Sequence, residues 1–183
     1  NNAAGSGDGG GLITPAGQSL PSSCAPTTIA NAINLARADN LAKSGSLANE
    51  ATVTPILAKA LEVTNFASSY YTDMSRFPAR VGEVLSTFGV SSTVSSVNNV
   101  FDTGLPVLVV VPSNNPGETH YIVAQANKTP GSVTIYDPWP QNNQPATGNP
   151  GRTYVASTSD LTQKAIGPVV VITPAPGAPG GSH

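Results

Sequence analysis

Residues 18–35 read QSLPSSCAPTTIANAINL and carry the first strong helix signal of the chain. Pro26 suits the first turn of a helix, and Ser22 or Ser23 is expected to cap its N-terminus. Apolar residues recur at helical spacing on one face, and they are Ile29, Ile33 and Ala36. The pattern predicts a helix that begins at Cys24 and runs to about residue 38.

Two more helices and a block of strands follow. One helix is expected to start near Thr54 and Pro55, and another covers residues 78–88 and ends at Gly89. After Gly89 the apolar pattern changes to that of strands, which are predicted over 90–97, 107–111, 120–126, 132–137, 152–156 and 169–173. A helical block followed by a strand block predicts an α+β domain, with an N-terminal helical part packed on a largely antiparallel sheet.

The composition is that of one folded domain with loose ends. The chain has 183 residues, which is enough for one compact domain and too few for two large ones. Only 10% are charged while 39% are hydrophobic, so a core forms under a surface built largely from Asn, Ser, Thr and Gln. Residues 1–11 are expected to form a flexible Gly-rich leader, 12–174 the folded domain, and 175–183 a Pro/Gly-rich tail.

The charges argue against two classes of partner. The net charge is -2 and the eight Lys and Arg residues are scattered singly, so no basic patch for nucleic acid is expected. The apolar run 107–111 is far shorter than the roughly 20 residues that cross a bilayer, so no membrane span is expected. One cysteine and two histidines make neither an internal disulfide nor a zinc cluster, and we expect no cofactor.

The only cysteine, Cys24, lies at the predicted start of the first helix. Free backbone N–H groups and the helix dipole favour a negative charge there, and the thiolate is the nucleophilic form of cysteine. Cys24 is therefore a candidate nucleophile. The alternative is a small buried hydrophobic residue, which is the more common role of a lone cysteine.

The only internal histidine, His120, opens the alternating stretch HYIVAQA, and Asp137 ends the next stretch, SVTIYD. On antiparallel strands joined by the turn NKTPG, the start of one faces the end of the other, which puts His120 beside Asp137. An imidazole between a carboxylate and a thiol activates a nucleophile. The alternatives are a histidine bonded to a backbone carbonyl and a turn-forming Asp before Pro138. Other acidic residues considered as partners of the histidine are Glu118, Asp102 and Asp160.

Gln18 lies six residues before Cys24, on the loop that leads to it. Its side-chain amide and the backbone N–H of Cys24 would together hold the negative oxygen that develops when a thiolate attacks a carbonyl. Gln18 is therefore a candidate oxyanion-hole residue, and the alternative is an ordinary solvated glutamine.

The order of these segments resembles a known superfamily. QSLPSSCAPTTIANAINL is followed by GLPVLVVV, THYIVAQA and VTIYDP, and this order over residues 18–138 is similar to that of papain-like peptidases, most closely bacterial peptidase C39-like domains. The resemblance implies that residues 12–174 form a papain-like catalytic domain. It implies that Cys24 is the nucleophile, His120 the general base and acid, Asp137 the orienting acid and Gln18 an oxyanion-hole donor.

Two positions depart from the family pattern. Ala25 stands where the family usually has Gly, and Ser23 stands where the bacteriocin-processing branch usually has Asp. These departures argue against the double-glycine leader specificity of that transporter-linked branch. Because the sequence shows no transporter segments, a stand-alone enzyme is expected.

Trp139 follows Asp137 and Pro138 directly. It is expected to shield the hydrogen bond between His120 and Asp137 from water, as a tryptophan does in many papain-like enzymes. The alternative is a partly exposed ring packed on neighbouring prolines. The polar stretch 140–151 suits either a rim loop beside the site or a simple surface excursion.

The candidate residues and the resemblance predict a C39-like cysteine peptidase that cleaves a peptide bond through a Cys-His-Asp triad and an acyl-enzyme. A peptide or protein substrate is its expected partner. The same chemistry serves side-chain and peptidoglycan amides, so an effector or toxin that acts as a deamidase, transglutaminase or amidase is an alternative. A non-catalytic peptide-binding module is a further alternative. The low charge and polar composition lead us to expect secretion or export from a bacterium.

Overall fold

The structure is a computed structural model that describes residues 11–64 and 73–176. The predicted leader before Gly11 and the predicted tail beyond Pro176 lie outside the described residues. The helices are α1 (Cys24–Ala38), α2 (Glu50–Leu61), α3 (Pro78–Thr87) and α4 (Thr158–Lys164). The strands are β1 (Ser91–Ser95), β2 (Val107–Pro112), β3 (Thr119–Ala126), β4 (Ser132–Asp137), β5 (Arg152–Ser157) and β6 (Val169–Thr173).

These six strands form one antiparallel sheet in the order β1-β6-β2-β3-β4-β5. Alternate residues of a strand point to opposite faces, and both faces are covered. α1, α2 and α3 pack on the face that carries Leu108 and Val123. α4 and a 3-10 turn at Val100–Thr103 pack on the face that carries Val109 and Ile135. Burial on both faces explains why β2 is a continuous apolar run.

The predicted α+β architecture, with helices packed on an antiparallel sheet, is confirmed. The predicted strand bounds agree with the observed ones to within two residues, and α1 agrees with its predicted range. α4 lies between β5 and β6, where the sequence analysis predicts no helix. Its N-cap is Ser157, whose side chain accepts a hydrogen bond from the backbone N–H of Asp160.

The predicted start of α2 is wrong. The helix begins at Glu50, four residues before Thr54, because Asn49 caps it. The Asn49 side chain accepts a hydrogen bond from Thr52 N, and the Thr52 hydroxyl accepts one from Asn49 N. Pro55 therefore lies inside the helix and not in its first turn. A proline marks a helix start only when no stronger capping residue precedes it.

Polar groups on the buried side of α1 fix its position. The Thr28 hydroxyl donates to the backbone carbonyl of Tyr121 in β3 at 2.7 Å. The Asn31 side chain accepts from Ala16 N at 2.8 Å and donates to Ala16 O at 3.1 Å. These bonds hold the N-terminal half of α1 against the beginning of β3 and against the segment that leads to Gln18.

Candidate active site

His120 and Asp137 lie side by side at one end of the sheet. His120 is the second residue of β3 and Asp137 the last residue of β4. The two strands pair antiparallel with Val123 opposite Tyr136, so the beginning of β3 lies next to the end of β4. Nε2 of the His120 ring is 2.6 Å from Oδ1 of Asp137. The juxtaposition that strand order predicts is therefore present.

The acidic residues considered as alternatives have other surroundings. A carboxylate oxygen of Glu118 accepts a hydrogen bond from Asn115, and Asp160 forms an ion pair with Lys164. Asp102 is exposed and belongs to a 3-10 turn. Among the acidic residues weighed, Asp137 is the one that bonds the histidine.

Cys24 is the first residue of α1 and is 3% exposed. Its side chain interacts with the His120 ring and contributes to raising the pKa of that ring. Because Nε2 of His120 faces Asp137, Nδ1 is the ring nitrogen that remains for the thiol. An imidazole that is bonded to a carboxylate and interacts with a thiol is suited to take a proton from the sulfur.

The N-terminus of α1 is left open towards Cys24. Ser23 occupies the N-cap position, but its side chain makes no hydrogen bond to the first turn of the helix. The prediction that a serine side chain caps α1 is therefore wrong. The Ser23 hydroxyl instead accepts from Leu20 N and donates to Leu20 O. The first turn of α1 contains no acidic residue. The helix dipole and the free N–H groups of the first turn therefore act on a negative charge at Cys24.

The protonated form of His120 is strongly favoured. Burial of the ring opposes the charge, but the hydrogen bonds to Asp137 and Cys24, together with their negative charges, outweigh it. The pKa of His120 is raised from its ordinary 6.5 to about 9. At neutral pH the geometry thus favours an imidazolium, the form that pairs with a thiolate.

Asp137 is 2% exposed and receives hydrogen bonds from four donors. Oδ1 accepts from His120 and from the backbone N–H of Trp139 at 2.8 Å. Oδ2 accepts from the guanidinium of Arg152 and the hydroxyl of Tyr154, each at 3.1 Å. Burial disfavours the carboxylate, yet these bonds and the charges of His120 and Arg152 hold the pKa of Asp137 below its usual range. Asp137 is therefore a fixed anion whose oxygens are fully engaged.

Gln18 is 1% exposed, so it is not the solvated glutamine of the alternative interpretation. Its side-chain nitrogen donates to the backbone carbonyls of Leu20 at 2.9 Å and Pro21 at 3.1 Å. The side-chain oxygen is buried without a hydrogen-bond partner among the described residues. The amide is thus held inside the turn that precedes Cys24, and its nitrogen is engaged in this turn.

Three backbone segments contact one another near Gln18 and Asp137, and together they form the backbone crossing. They are residues 15–18, 137–138 and 149–151. The backbone N–H of Gln18 donates to Pro138 O at 2.7 Å, and that of Gly17 donates to Asn149 O at 2.9 Å. Gly151 lies in the same crossing, where a Cβ would collide with the carbonyl oxygens of Asp137 and Ala16. Backbone contact this close requires glycine. The crossing fixes the loop before Cys24 relative to the end of β4.

Trp139 is half-buried, and its ring nitrogen donates to Asn143 at 3.1 Å. Its backbone N–H bonds Asp137 directly. The stretch 140–151 begins with a turn in which Asn143 N donates to Pro140 O, and it returns to the site through Gly151. Trp139 and this stretch therefore lie next to the carboxylate, which is the position that the rim-loop interpretation requires.

Sequence reasoning missed Arg152 and Tyr154. Both lie on β5, which pairs with β4 so that Arg152 is directly opposite Asp137 and Tyr154 is opposite Ile135. Tyr154 is therefore the diagonal neighbour of Asp137 on the same face. Burial and the charge of Asp137 raise the pKa of Tyr154, which keeps its hydroxyl a donor. Extending the antiparallel argument by one strand would have found both residues.

Residues 11–64 and 73–176 contain neither a candidate membrane span nor a candidate metal site. No helix there is both long and apolar enough to cross a bilayer. No group of three or more His, Cys, Asp or Glu side chains in these ranges is arranged to hold a metal ion.

The fold and the site together define a papain-like cysteine peptidase, with a cysteine at a helix N-terminus and a histidine on the adjoining antiparallel sheet. The model of the Peptidase C39-like family matches residues 13–158, and the chain belongs to this family. The resemblance seen in the sequence and the prediction of a cysteine peptidase enzyme are both confirmed. A peptide substrate follows from the family.

A solved structure supports the fold. The chain is similar to the peptidase domain of Streptococcus ComA, described as a bi-functional ABC transporter involved in a quorum-sensing pathway. The TM-score is 0.55 at 16% sequence identity, and the match covers 88% of this chain and 98% of the other. At this identity the likeness is one of fold. No curated protein sequence matches this chain.

Proposed function

We propose that this enzyme cleaves peptide bonds through a Cys24-His120-Asp137 triad and an acyl-enzyme. The observation that supports this most is the 2.6 Å hydrogen bond between the His120 ring and the Asp137 carboxylate, with Cys24 at the start of α1 interacting with the same ring. A thiol held against an imidazole whose pKa is raised to about 9 transfers its proton readily at neutral pH.

The reaction has two halves. His120 takes the thiol proton, and the Cys24 sulfur bonds to the carbonyl carbon of the scissile peptide, whose oxygen becomes negative. When the C–N bond breaks, His120 gives its proton to the leaving amine, and a thioester to Cys24 remains. Water then gives a proton to His120 and attacks the thioester. The carboxyl product leaves, and the C–S bond breaks to return the Cys24 thiolate beside the imidazolium.

Two donors are proposed to hold the negative oxygen. The backbone N–H of Cys24 is in the first turn of α1, where no helical carbonyl accepts it. Gln18 supplies the second donor by exchanging one of its bonds to the Leu20 and Pro21 carbonyls for the substrate oxygen. A hydrogen bond to a charged oxygen is about twice as strong as one to a neutral carbonyl, so the exchange is favourable in the tetrahedral intermediate.

Trp139 is proposed to shield the hydrogen bond between His120 and Asp137. Its backbone N–H is bonded to the same carboxylate oxygen as the histidine, and its half-buried ring follows immediately. Excluding water from that bond keeps its strength in a low-dielectric surrounding.

The test uses a proteome-derived peptide mixture incubated with the wild type, with Cys24→Ala and with the nearly isosteric Cys24→Ser. We expect new peptide termini with the wild type alone, read by mass spectrometry, together with a covalent acyl adduct on Cys24. Conversion of glutamine to glutamate without new termini would replace the peptidase by a side-chain amidase. The absence of any change that depends on Cys24 would refute the proposal.

The thiol–imidazole pair has its own test. Because Cys24 is the single cysteine, intact mass reports its alkylation by iodoacetamide without ambiguity. We expect the wild type to react at mildly acidic pH faster than free glutathione, and His120→Ala to lose this advantage. Equal rates in the two proteins would show that the imidazole does not activate the sulfur.

A further inference from the structure

A carboxylate outside the triad is directed at the loop that leads to the nucleophile. Glu50 is the first residue of α2 and is half-buried. One carboxylate oxygen accepts from Ser19 N at 2.7 Å and from the Thr27 hydroxyl at 2.9 Å. The other accepts from the Ser19 hydroxyl at 2.5 Å. Three donors from two separate segments thus converge on this one side chain.

These bonds are not needed for α2 itself. The N-terminus of α2 is already closed by the reciprocal bonds between Asn49 and Thr52. No cation pairs with Glu50 within the described ranges 11–64 and 73–176. A partly buried carboxylate is costly unless donors satisfy it, and the donors it has here belong to the nucleophile loop and to α1.

The donors lie on either side of the residues that matter for the reaction. Ser19 follows Gln18 directly, and Thr27 lies one helical turn after Cys24 on α1. The Thr27 hydroxyl also contacts the carbonyl of Ser23 at 2.8 Å, so its single hydrogen is shared between two acceptors. Glu50 therefore connects the end of the loop that carries the candidate oxyanion donor to the helix that carries the nucleophile.

We propose that Glu50 is a positioning residue that sets Gln18 relative to Cys24 for stabilisation of the oxyanion, an inference that rests on the proposed function. It acts through Ser19: with the backbone and hydroxyl of Ser19 fixed, the preceding amide has one position relative to the N-terminus of α1. His120 and Asp137 are held by β3, β4 and β5, so the thiol–imidazole pair does not depend on Glu50.

The test compares Glu50→Ala and Glu50→Gln with a matched control, Glu83→Ala, which removes an exposed carboxylate paired with Arg80 on α3. The substrate is the peptide cleaved best by the wild type. We expect E50A to lower kcat by about 10- to 100-fold with little change in KM, because a misplaced donor acts on the transition state. The alkylation rate of Cys24 is expected to stay at the wild-type level, and E83A to leave kcat unchanged.

Glu50→Gln is expected to recover most of kcat. Its amide oxygen still accepts from Ser19 N and Thr27, and its amide nitrogen donates to the Ser19 hydroxyl, which turns its own hydrogen away. If E50A does not fold, Ser19→Ala takes its place, since it removes one of the three bonds and keeps the loop backbone bonded. A lowered kcat in S19A then supports the proposal.

Several outcomes overturn the inference. An unchanged kcat in E50A, or in S19A where E50A does not fold, means that Glu50 has no part in positioning. A parallel loss of kcat and of Cys24 alkylation in a folded E50A means that its role is general to the site. Wild-type and Cys24→Ala reactions run beside these variants: absence of Cys24-dependent turnover removes the proposed function and the inference together, whereas turnover with unaffected Glu50 variants removes only the inference.

Discussion

The acid–base pair and the oxyanion loop are built by different means. His120 and Asp137 lie on neighbouring strands, and the register of β3, β4 and β5 places every side-chain donor that reaches the carboxylate. Gln18 lies on an irregular loop, and its position depends on individual bonds that hold its neighbours. Glu50 bonds Ser19, Ser23 bonds Leu20, and Gly17 N donates to Asn149 O. In the sheet, the regular strand register sets the positions of the site residues. In the loop, each position depends on individual contacts.

This difference has a chemical counterpart. At Asp137, four donors meet two carboxylate oxygens, and the anion is fully engaged. At Gln18, the side-chain oxygen is buried without a partner in the described part of the chain, while the nitrogen has two carbonyl acceptors. Rearranging a network whose hydrogen bonds are all made breaks those bonds. Rearranging an incompletely satisfied network breaks fewer of them and costs less free energy. The loop is therefore the side of the site that we expect to adjust when substrate binds.

The largest effect is expected at the sheet side of this comparison. His120→Ala removes the general base and acid, and we expect kcat/KM to fall by about 10⁴-fold, well beyond the effect of E50A. The fold is expected to survive, because His120 is near the start of its strand and partly exposed. Steady-state kinetics with circular dichroism as the fold control measure this. Equal losses in H120A and E50A would contradict the distinction between the two regions.

A second prediction concerns the crossing that joins the two regions. Gly151→Ala places a methyl group against the Asp137 and Ala16 carbonyls, and we expect a loss of about 3 kcal/mol of unfolding free energy, as in overpacked sites. Urea denaturation measures it. Gly82→Ala is the control, since the methyl group there meets only the side-chain hydroxyl of Ser92 at 3.2 Å and alanine favours the α3 helix. Similar unfolding free energies for both variants would mean that the backbone crossing accommodates the extra methyl group with little loss of stability.

The pH dependence tests the charge state of the acid–base pair. Because the pKa of His120 is raised to about 9, kcat/KM is expected to stay level through neutral pH and then fall above pH 9 by about tenfold per unit, as the imidazolium loses its proton. Asp137→Asn removes the negative charge, so the alkaline limb moves to lower pH. A limb near 6.5 in the wild type would contradict the geometry.

The same shift is a statement about stability. A pKa raised in the folded protein means that the folded state holds the proton more tightly than the unfolded chain. The stabilisation is fully present below pH 6.5 and is lost as the pH rises through about 9. Denaturation midpoints between pH 6 and 10 are expected to follow this direction in the wild type and to flatten in His120→Ala.

The smallest effect is expected from a single donor of the carboxylate network. Tyr154→Phe removes one of the four hydrogen bonds to Asp137 and is expected to cost about 1 kcal/mol in unfolding free energy. It should lower kcat/KM only severalfold, because Arg152 still holds Oδ2. Tyr136→Phe is the matched control, since its hydroxyl bonds Leu12 N and not Asp137. A drop in kcat/KM that is equal in both variants would show that the network does not act through Asp137.

The sheet and its acid–base pair could be predicted because strands repeat. The apolar pattern between turn signals predicted the bounds of each strand to within two residues. The antiparallel order of β3 and β4 was enough to predict that His120 lies beside Asp137. The predicted start of α2 is wrong because it rests on Pro55, whereas the capping box formed by Asn49 and Thr52 starts the helix at Glu50. α4 is only seven residues long, too short for a periodic pattern.

The loop side of the site could not be predicted in the same way. The position of Gln18 depends on Glu50, which is 32 residues away in sequence, and no local pattern links the two. The side chain of Ser23 bonds Leu20 and does not cap α1, a choice that depends on the three-dimensional path of the turn. Contacts of this kind are decided by tertiary packing, and sequence spacing does not encode them.

We expect the backbone crossing to delay assembly of the active site during folding. It joins Pro15 to Gly151 and Gln18 to Pro138, so its hydrogen bonds close loops of more than one hundred residues. Contacts so distant in sequence form late, because the chain between them must be ordered first. We therefore expect the nucleophile loop and the carboxylate to reach their final geometry only after β4 and β5 have joined the sheet. A partly folded chain is then expected to contain the cysteine without the assembled active site.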